Sequence, residues 1–194
     1  VPSATSDYRA VLQSPELEAV AICSATDTHA AIIQEAAASR KHIFCEKPID
    51  LDLKRIETTL RAVEQAGVKF QVGFNRRFDP SFLKARELVA GGKIGAIHVV
   101  RITSRDPAPP PLEYVRVSGG IFLDMTIHDF DMVRFLTDSE ATEVYAVGQA
   151  LINPEIERFG DVDTCIITLR LQNGALAAID NSRQAVYGYD QRIE

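Results

Sequence analysis

The stretch His42-Ile43-Phe44-Cys45-Glu46-Lys47-Pro48 decides the fold of the first part of the chain: an apolar run of strand length stops at an acid, a base and a proline. Proline has no N–H and drives the preceding residue into an extended conformation, so the strand ends at Lys47 and delivers its last side chains to a sheet edge. In an open α/β sheet that edge is where ligands bind. Upstream, Ala19-Val20-Ala21-Ile22-Cys23 is a second apolar run, the pattern of a strand covered by helices on both faces. Between the two, Ser24-Ala25-Thr26-Asp27 supplies a turn and a helix cap, followed by a helix that turns Ile32, Ile33, Ala36 and Ala37 inward. After Pro48, Asp50 and Asp52 are cap candidates for a helix with Ile56, Leu60 and Val63 on one face, and Gly67 ends it. A third strand alternates through Val68, Phe70, Val72 and Phe74. With a short helix over residues 7–13 stopped by Pro15, residues 1–74 read strand-helix-strand-helix-strand, a partial doubly wound parallel sheet of α/β class.

The pattern changes after Phe74. Asn75-Arg76-Arg77-Phe78-Asp79-Pro80 leads into a helix ending at Gly91-Gly92, and residues 97–104 read as a strand. The prolines between 107 and 111 predict an irregular loop, and Gly119-Gly120 opens a helix over about 122–136. Segments 144–151 and 165–171 alternate, Asn173-Gly174 is a hairpin signal, and the sheet continues through 185–193. Residues 75–194 therefore read as an α+β unit: a mixed, mainly antiparallel sheet with helices on one face.

The chain has 194 residues, 46% hydrophobic and 25% charged, enough to bury a real core. Its net charge of -6, with no long basic run, argues against a nucleic-acid partner. No apolar run reaches the length of a membrane span, about 18 residues, and no signal-peptide pattern opens the chain, so the cytoplasm is the expected location. Cys23, Cys45 and Cys165 form no CxxC pair and read as buried small hydrophobes in a reducing compartment. The only methionines are Met125 and Met132, so the chain reads as a piece of a longer one.

Chemistry concentrates at a few positions. In Gly119-Gly120-Ile121-Phe122-Leu123-Asp124-Met125-Thr126-Ile127-His128-Asp129-Phe130-Asp131, helical spacing puts Asp124, His128 and Asp131 on one face and Leu123, Ile127 and Phe130 on the apolar one. A carboxylate one turn before an imidazole can orient the ring and favour its protonated form. The same residues also suit an ordinary solvated helix start. Lys47, fixed by Pro48, can donate to a substrate hydroxyl or carry a proton, where a featureless strand-end lysine would only be a surface charge. Arg76 and Arg77 offer forked donors to an anion or polyhydroxy ligand, or to surface carboxylates. His29 suits either a ligand contact or a cap, and His42 and His98 read as structural.

Taken together, Ser24-Ala25-Thr26 with His29, Glu46-Lys47-Pro48, Gly73-Phe74-Asn75-Arg76-Arg77-Phe78-Asp79, and Gly119-Gly120 followed by Asp124 and His128 resemble the Gfo/Idh/MocA oxidoreductases, most closely the inositol 2-dehydrogenase branch. The resemblance covers nearly the whole chain. It implies NAD-dependent, or NADP-dependent, hydride transfer from a cyclic polyol or sugar. It also implies roles: Lys47 at the reacting oxygen and the cofactor, His128 as proton acceptor, Asp124 orienting His128. Ser24, Thr26, His29 and Glu46 would lie along the cofactor. Arg76 and Tyr187, with Arg105 and Asp106 behind them, would hold the substrate. On this resemblance residues 1–74 are the C-terminal half of a dinucleotide-binding Rossmann domain, and 75–194 are a substrate-binding and oligomerisation domain, incomplete at its end, through whose sheet the protein forms a homo-oligomer.

The sequence departs from that family in one respect: it contains no GxGxxG, nor even GxG, to bring backbone amides to a pyrophosphate. The 194-residue chain alone is therefore expected not to turn over. Two other classes compete: a non-catalytic sugar-binding or oligomerisation module, and a metal-dependent hydrolase built on His128, Asp129 and Asp131. The second is disfavoured, since such sites usually gather several histidines.

Overall fold

The computed structural model describes residues 4–194 in two compact units, one ending at Gly73 and the other beginning at Phe74. In the first, α1 (Tyr8–Gln13), β1 (Ala19–Ile22), α2 (His29–Ala38), β2 (His42–Cys45), α3 (Leu53–Ala66) and β3 (Phe70–Val72) follow one another. The three strands are parallel in the order β1-β2-β3. Ile22 lies opposite Cys45 and Cys45 opposite Val72, so the C-terminal ends of all three strands share one crest.

Local chemistry sets the boundaries. Asp7 caps α1 by accepting from the Arg9 amide, and Asp52 caps α3 by accepting from the amides of Lys54 and Arg55. Gly67 closes α3 at φ 65°, a left-handed conformation in which a side chain would be strained. Leu12, Ile22, Ile33, Ala36, Ala37, Ile43, Cys45 and Val63 form the core.

Several expectations for this unit change. α2 and α3 pack on each other over one face of the sheet, because two right-handed crossovers along a strand order that never reverses fall on the same side. Ala19, Ala21, His42 and Gln71 are consequently exposed, and β1 is not covered on both faces. The buried stripe of α3 runs through Thr59 and Val63, with Leu60 exposed; Thr59 is fully buried and its hydroxyl accepts from Gln34 Nε2 at 2.9 Å. No residue between 24 and 27 caps α2 with its side chain, since Ser24 Oγ lies 2.6 Å from Thr28 Oγ1 and a 3₁₀ turn, Thr26–Thr28, comes first. Cys23 is exposed because it lies past the end of β1, in the turn.

The second unit holds α4 (Pro80–Ala90), β4 (Val99–Arg105), α5 (Leu112–Ser118), α6 (Ile127–Thr137), β5 (Ala141–Gln149), β6 (Thr164–Leu171), β7 (Leu176–Ser182) and β8 (Asp190–Ile193). Its sheet has the order β5-β6-β7-β4-β8; only β4 and β7 pair in parallel. Asn173-Gly174 makes the β6–β7 hairpin, with Gly174 at φ 87°. The inner face, including Val100, Ile102, Ile167, Leu169 and Ile179, packs against Ile121, Met125, Met132, Val133 and Leu136. Each such apolar side chain contributes about 1.5–3 kcal/mol by leaving water. The opposite face leaves Val99, Val147, Ile166 and Leu176 exposed.

Two features here escape a periodicity argument. α5 follows directly on the proline run, with Pro111 at its N-cap. The helix expected over 122–136 begins as a π-helical turn, Phe122–Thr126, before α6. The wider turn changes which residues face inward, so Leu123 is exposed while Met125 and Asp129 are buried.

All three cysteines are free thiols, but they differ in exposure. Burial pushes the Cys45 thiol up to about 12 and that of Cys165 up to about 11. A thiol-reactive chromophore at neutral pH is expected to label Cys23 alone in the folded chain, and all three cysteines once denatured. Rapid native labelling of Cys45 would contradict this packing.

Candidate functional site

In the first unit the crest brings together the turn after β1, the Glu46-Lys47-Pro48 turn after β2, and Gly73 after β3. Backbone bonds fix it: the Glu46 amide donates to the Ile22 carbonyl at 3.0 Å and the Gly73 amide to the Cys45 carbonyl at 2.7 Å. A Cβ placed on Gly73 would stand 3.0 Å from Glu46 Oε2, so glycine there makes room for the glutamate. Ser24 is exposed, whereas Thr26, Glu46 and Lys47 are half-buried, and the Lys47–Pro48 peptide is cis. His29 lies beneath these turns. It is 1% exposed, with Nδ1 at 2.8 Å from the Pro48 carbonyl and Nε2 at 3.0 Å from the Ser24 carbonyl. Both ring nitrogens face backbone carbonyls, so His29 ties the β1 turn to the β2 turn.

In the second unit Arg76 and Arg77 leave the 3₁₀ turn Asn75–Phe78 in different directions. Arg76, 10% exposed, places Nη1 at 2.5 Å from Asp129 Oδ1 and donates from Nη2 to Ser104 Oγ at 3.0 Å. Asp129, in turn, accepts from Asn181 Nδ2 at 2.8 Å, and Thr126 Oγ1 donates to Asn181 Oδ1 at 2.5 Å. Ser104, Thr126, Asp129 and Asn181 are all fully buried. Burial pushes the Asp129 carboxyl up, against the lowering pull of the Arg76 guanidinium and the Asn181 amide. Arg77 grips Asp131 with two bonds, 2.8 and 2.6 Å.

These pairs set both arginines against buried carboxylates. The fork of Arg76 is directed onto Asp129 and Ser104, so two of its nitrogens are held by the protein itself. Asp129 and Asp131 are each held by a guanidinium, which takes apart the constellation a metal-dependent hydrolase would need. Among the described residues no group of three metal-ligating side chains converges.

Asp124 stands in the π-helical turn. Its Oδ1 accepts from the Tyr114 hydroxyl at 2.8 Å, and its Oδ2 lies 3.0 Å from Arg183 Nη2. Arg183 Nη1 is 3.3 Å from Asp106 Oδ2. Burial, then the bond to Asp124, pushes the Tyr114 phenol up to about 12, which keeps it a neutral donor. His128 follows in the first turn of α6, with its ring edge-on to Phe74 at 6.3 Å between centroids.

Gly119-Gly120 makes the approach to this turn possible. Both adopt positive φ, 84° and 78°, and a Cβ on Gly120 would lie 2.6 Å from Asp161 Oδ1, the oxygen that accepts from the Ile121 amide at 2.9 Å.

The remaining substrate candidates separate. Asp106 joins Arg183 and Asp124, whereas Arg105 pairs with Asp180. The Tyr187 hydroxyl donates to Asp190 at 2.9 Å, and Asp190 lies opposite Arg105 across β4 and β8. Tyr114 and Arg183 were not anticipated from sequence: one follows a proline loop and the other the end of an alternating strand, and neither carries a periodic signal.

Two family models match the chain: an oxidoreductase family with an NAD-binding Rossmann fold over residues 1–74, and the GFO/IDH/MocA C-terminal domain over residues 82–194. The chain belongs to the Gfo/Idh/MocA oxidoreductase family. It is 58% identical to an uncharacterized oxidoreductase of Bacillus subtilis, YrbE, over 98% of this chain and 56% of that protein. It is 53% identical to a myo-inositol 2-dehydrogenase of Thermotoga maritima over 100% of this chain and 58% of the relative. A solved scyllo-inositol dehydrogenase from Lactobacillus casei, with bound NAD(H) and scyllo-inositol, superposes with a TM-score of 0.87 at 36% identity, covering 97% of this chain and 57% of that one. The chain thus spans little more than half the length of the relatives it matches.

Breaking the buried pair by Arg76→Met or Asp129→Leu is expected to cost about 3–5 kcal/mol, because each leaves the other charge uncompensated. The double replacement Arg76→Met with Asp129→Leu should cost clearly less than the two single losses added. Urea denaturation of the three variants measures this, and strict additivity would refute a coupled pair.

Proposed function

We propose that the protein oxidises a secondary alcohol of an inositol-type polyol to the ketone, with NAD as the hydride acceptor. The observation that carries this reading is the Asp124 carboxylate, anchored through both oxygens and placed four residues before His128. It is supported by the similarity to inositol dehydrogenases, one of them solved with NAD(H) and scyllo-inositol.

The crest residues suit part of such a cofactor. Ser24 and Thr26 provide hydroxyls, and the Lys47 ammonium follows the crossing strand β2. The chain carries no glycine-rich turn for a pyrophosphate. When bound, the nicotinamide ring would take the hydride from the carbinol carbon. The hydroxyl proton goes to His128, whose imidazolium is stabilised by the Asp124 carboxylate. Lys47 donates to the alcohol oxygen and restrains its developing charge. Tyr187 and Asp106 are the polar groups we assign to substrate hydroxyls, with Arg105 setting the Tyr187 neighbourhood through Asp180 and Asp190.

We also propose that the second unit's outer sheet face is covered in a homo-oligomer. Val147 and Ile166 face each other across β5 and β6, with Val99 and Leu176 on the same side, all about half exposed or more. Exposed apolar side chains in one stripe favour association. The free thiols are in keeping with work in the cytoplasm.

In the protein as its gene encodes it, Lys47→Ala and His128→Ala should each lower kcat/KM for inositol by at least about 100-fold, the usual contribution of a positioned acid or base. Wild-type rates in either variant would sink the assignment. Ile166→Lys, with sedimentation velocity as the readout, should shift the protein to a smaller species; an unchanged sedimentation coefficient would remove the sheet as the interface.

A further inference from the structure

A buried arginine outside the roles above stands where four chain segments meet. Arg183 follows the last residue of β7, Ser182, and is 4% exposed. β4 and β7 are parallel with Arg105 opposite Ser182, so Asp106 and Arg183 occupy the next positions beyond the paired register. The backbone holds both: the Asp106 amide donates to the Ser182 carbonyl at 3.0 Å, and the Arg183 amide to the Asp163 carbonyl at 2.8 Å. From there Arg183 reaches Asp106 at 3.3 Å and Asp124 at 3.0 Å, while Tyr114 on α5 binds the other Asp124 oxygen at 2.8 Å.

We infer that Arg183, assisted by the hydrogen bond from Tyr114, is a positioning residue whose charge holds the Asp124 carboxylate in place and keeps it ionised. The inference rests on the catalytic reading of Asp124 and His128 given above.

The charge balance leads to this role. One guanidinium faces two carboxylates, from the segment after β4 and from the π-helical turn, and the phenol of Tyr114 is a neutral donor to one of them. The Asp163 carboxylate, on the neighbouring segment, is engaged by the backbone amides of Leu151, Ile152 and Asn153 and by Thr164 Oγ1, and adds no free acceptor. Removing Arg183 takes away the guanidinium that faces both Asp106 and Asp124, and the loss of that charge favours protonation of the pair. A protonated Asp124 would no longer stabilise an imidazolium. A carboxylate has about four lone-pair sites, so an anchor on each oxygen leaves acceptor capacity for a third partner. A lysine would supply the charge but not the planar fork that spans Asp106 and Asp124 at once.

The test compares Arg183→Met, Arg183→Lys, Tyr114→Phe and Asp124→Asn in the protein as encoded, by the pH dependence of kcat and kcat/KM for inositol oxidation. Arg183→Met should lower kcat by about 100-fold, the scale of a misplaced catalytic group. Its acid limb should move to higher pH. Arg183→Lys should restore at least part of kcat and return the acid limb towards that of the parent. A folded Arg183→Met with the parent pH profile and kcat would overturn the inference. If that variant does not fold, Tyr114→Phe and Arg183→Lys decide. A several-fold fall in kcat with an unchanged Tm supports the role, and parent-like kcat and pH profiles in both overturn it. Asp124→Asn separates the levels: parent activity there defeats the catalytic reading itself, whereas its loss beside an unaffected Arg183→Met defeats only the positioning role.

Discussion

The second unit depends on one buried charge. Asp129 is fully enclosed, and an isolated carboxylate in that position would be untenable against several kcal/mol of lost hydration. It is tolerated because Arg76, Ser104, Asn181 and Thr126 arrive as a connected set, from the 3₁₀ turn, β4, β7 and the π-helical turn. Each of these elements is located by its share in that network as well as by the apolar packing around it. α6 is thereby held at its first turn, where His128 sits next to Asp129 in the chain, and β4 and β7 are tied near the ends that carry Asp106 and Arg183.

Asp124 is held by the same logic nearer the surface. The π-helical turn sets it one residue out of step with an α-helical count, and Tyr114 and Arg183 receive it there. The two clusters use different arginines for different ends. Arg76 neutralises a carboxylate that the fold buries, whereas Arg183 stands between two carboxylates at the edge of the sheet.

Much of this was legible in the sequence, for physical reasons that can be named. Strand and helix alternation through residue 73 follows from apolar run lengths, from Pro48 and from the Asp52 and Gly67 caps, all local signals. The hairpin at Asn173-Gly174 is equally local. What stayed hidden depends on long-range partners. Nothing near Arg76 in sequence announces Asp129, 53 positions away, so a ligand and a carboxylate were equally open to its fork. His29 left a ligand contact and a cap equally open, because the carbonyl of Pro48, 19 positions on, cannot be foreseen from spacing. The π-helical turn defeats a face assignment based on a constant 3.6-residue period, and the exposure of β1 follows from which side its helices cross, a property of topology and not of composition.

The two glycines before that turn carry a consequence for how the gene can vary. Positions 119 and 120 both need a backbone that side chains resist, and at 120 the space for a Cβ is filled by Asp161. Glycine codons tolerate third-base changes only, so a first- or second-base mutation at either codon places a side chain in this turn or, in one case, ends the chain. The segment leading to Asp124 and His128 is thus shielded from drift by the absence of any neighbouring codon that encodes a workable substitute.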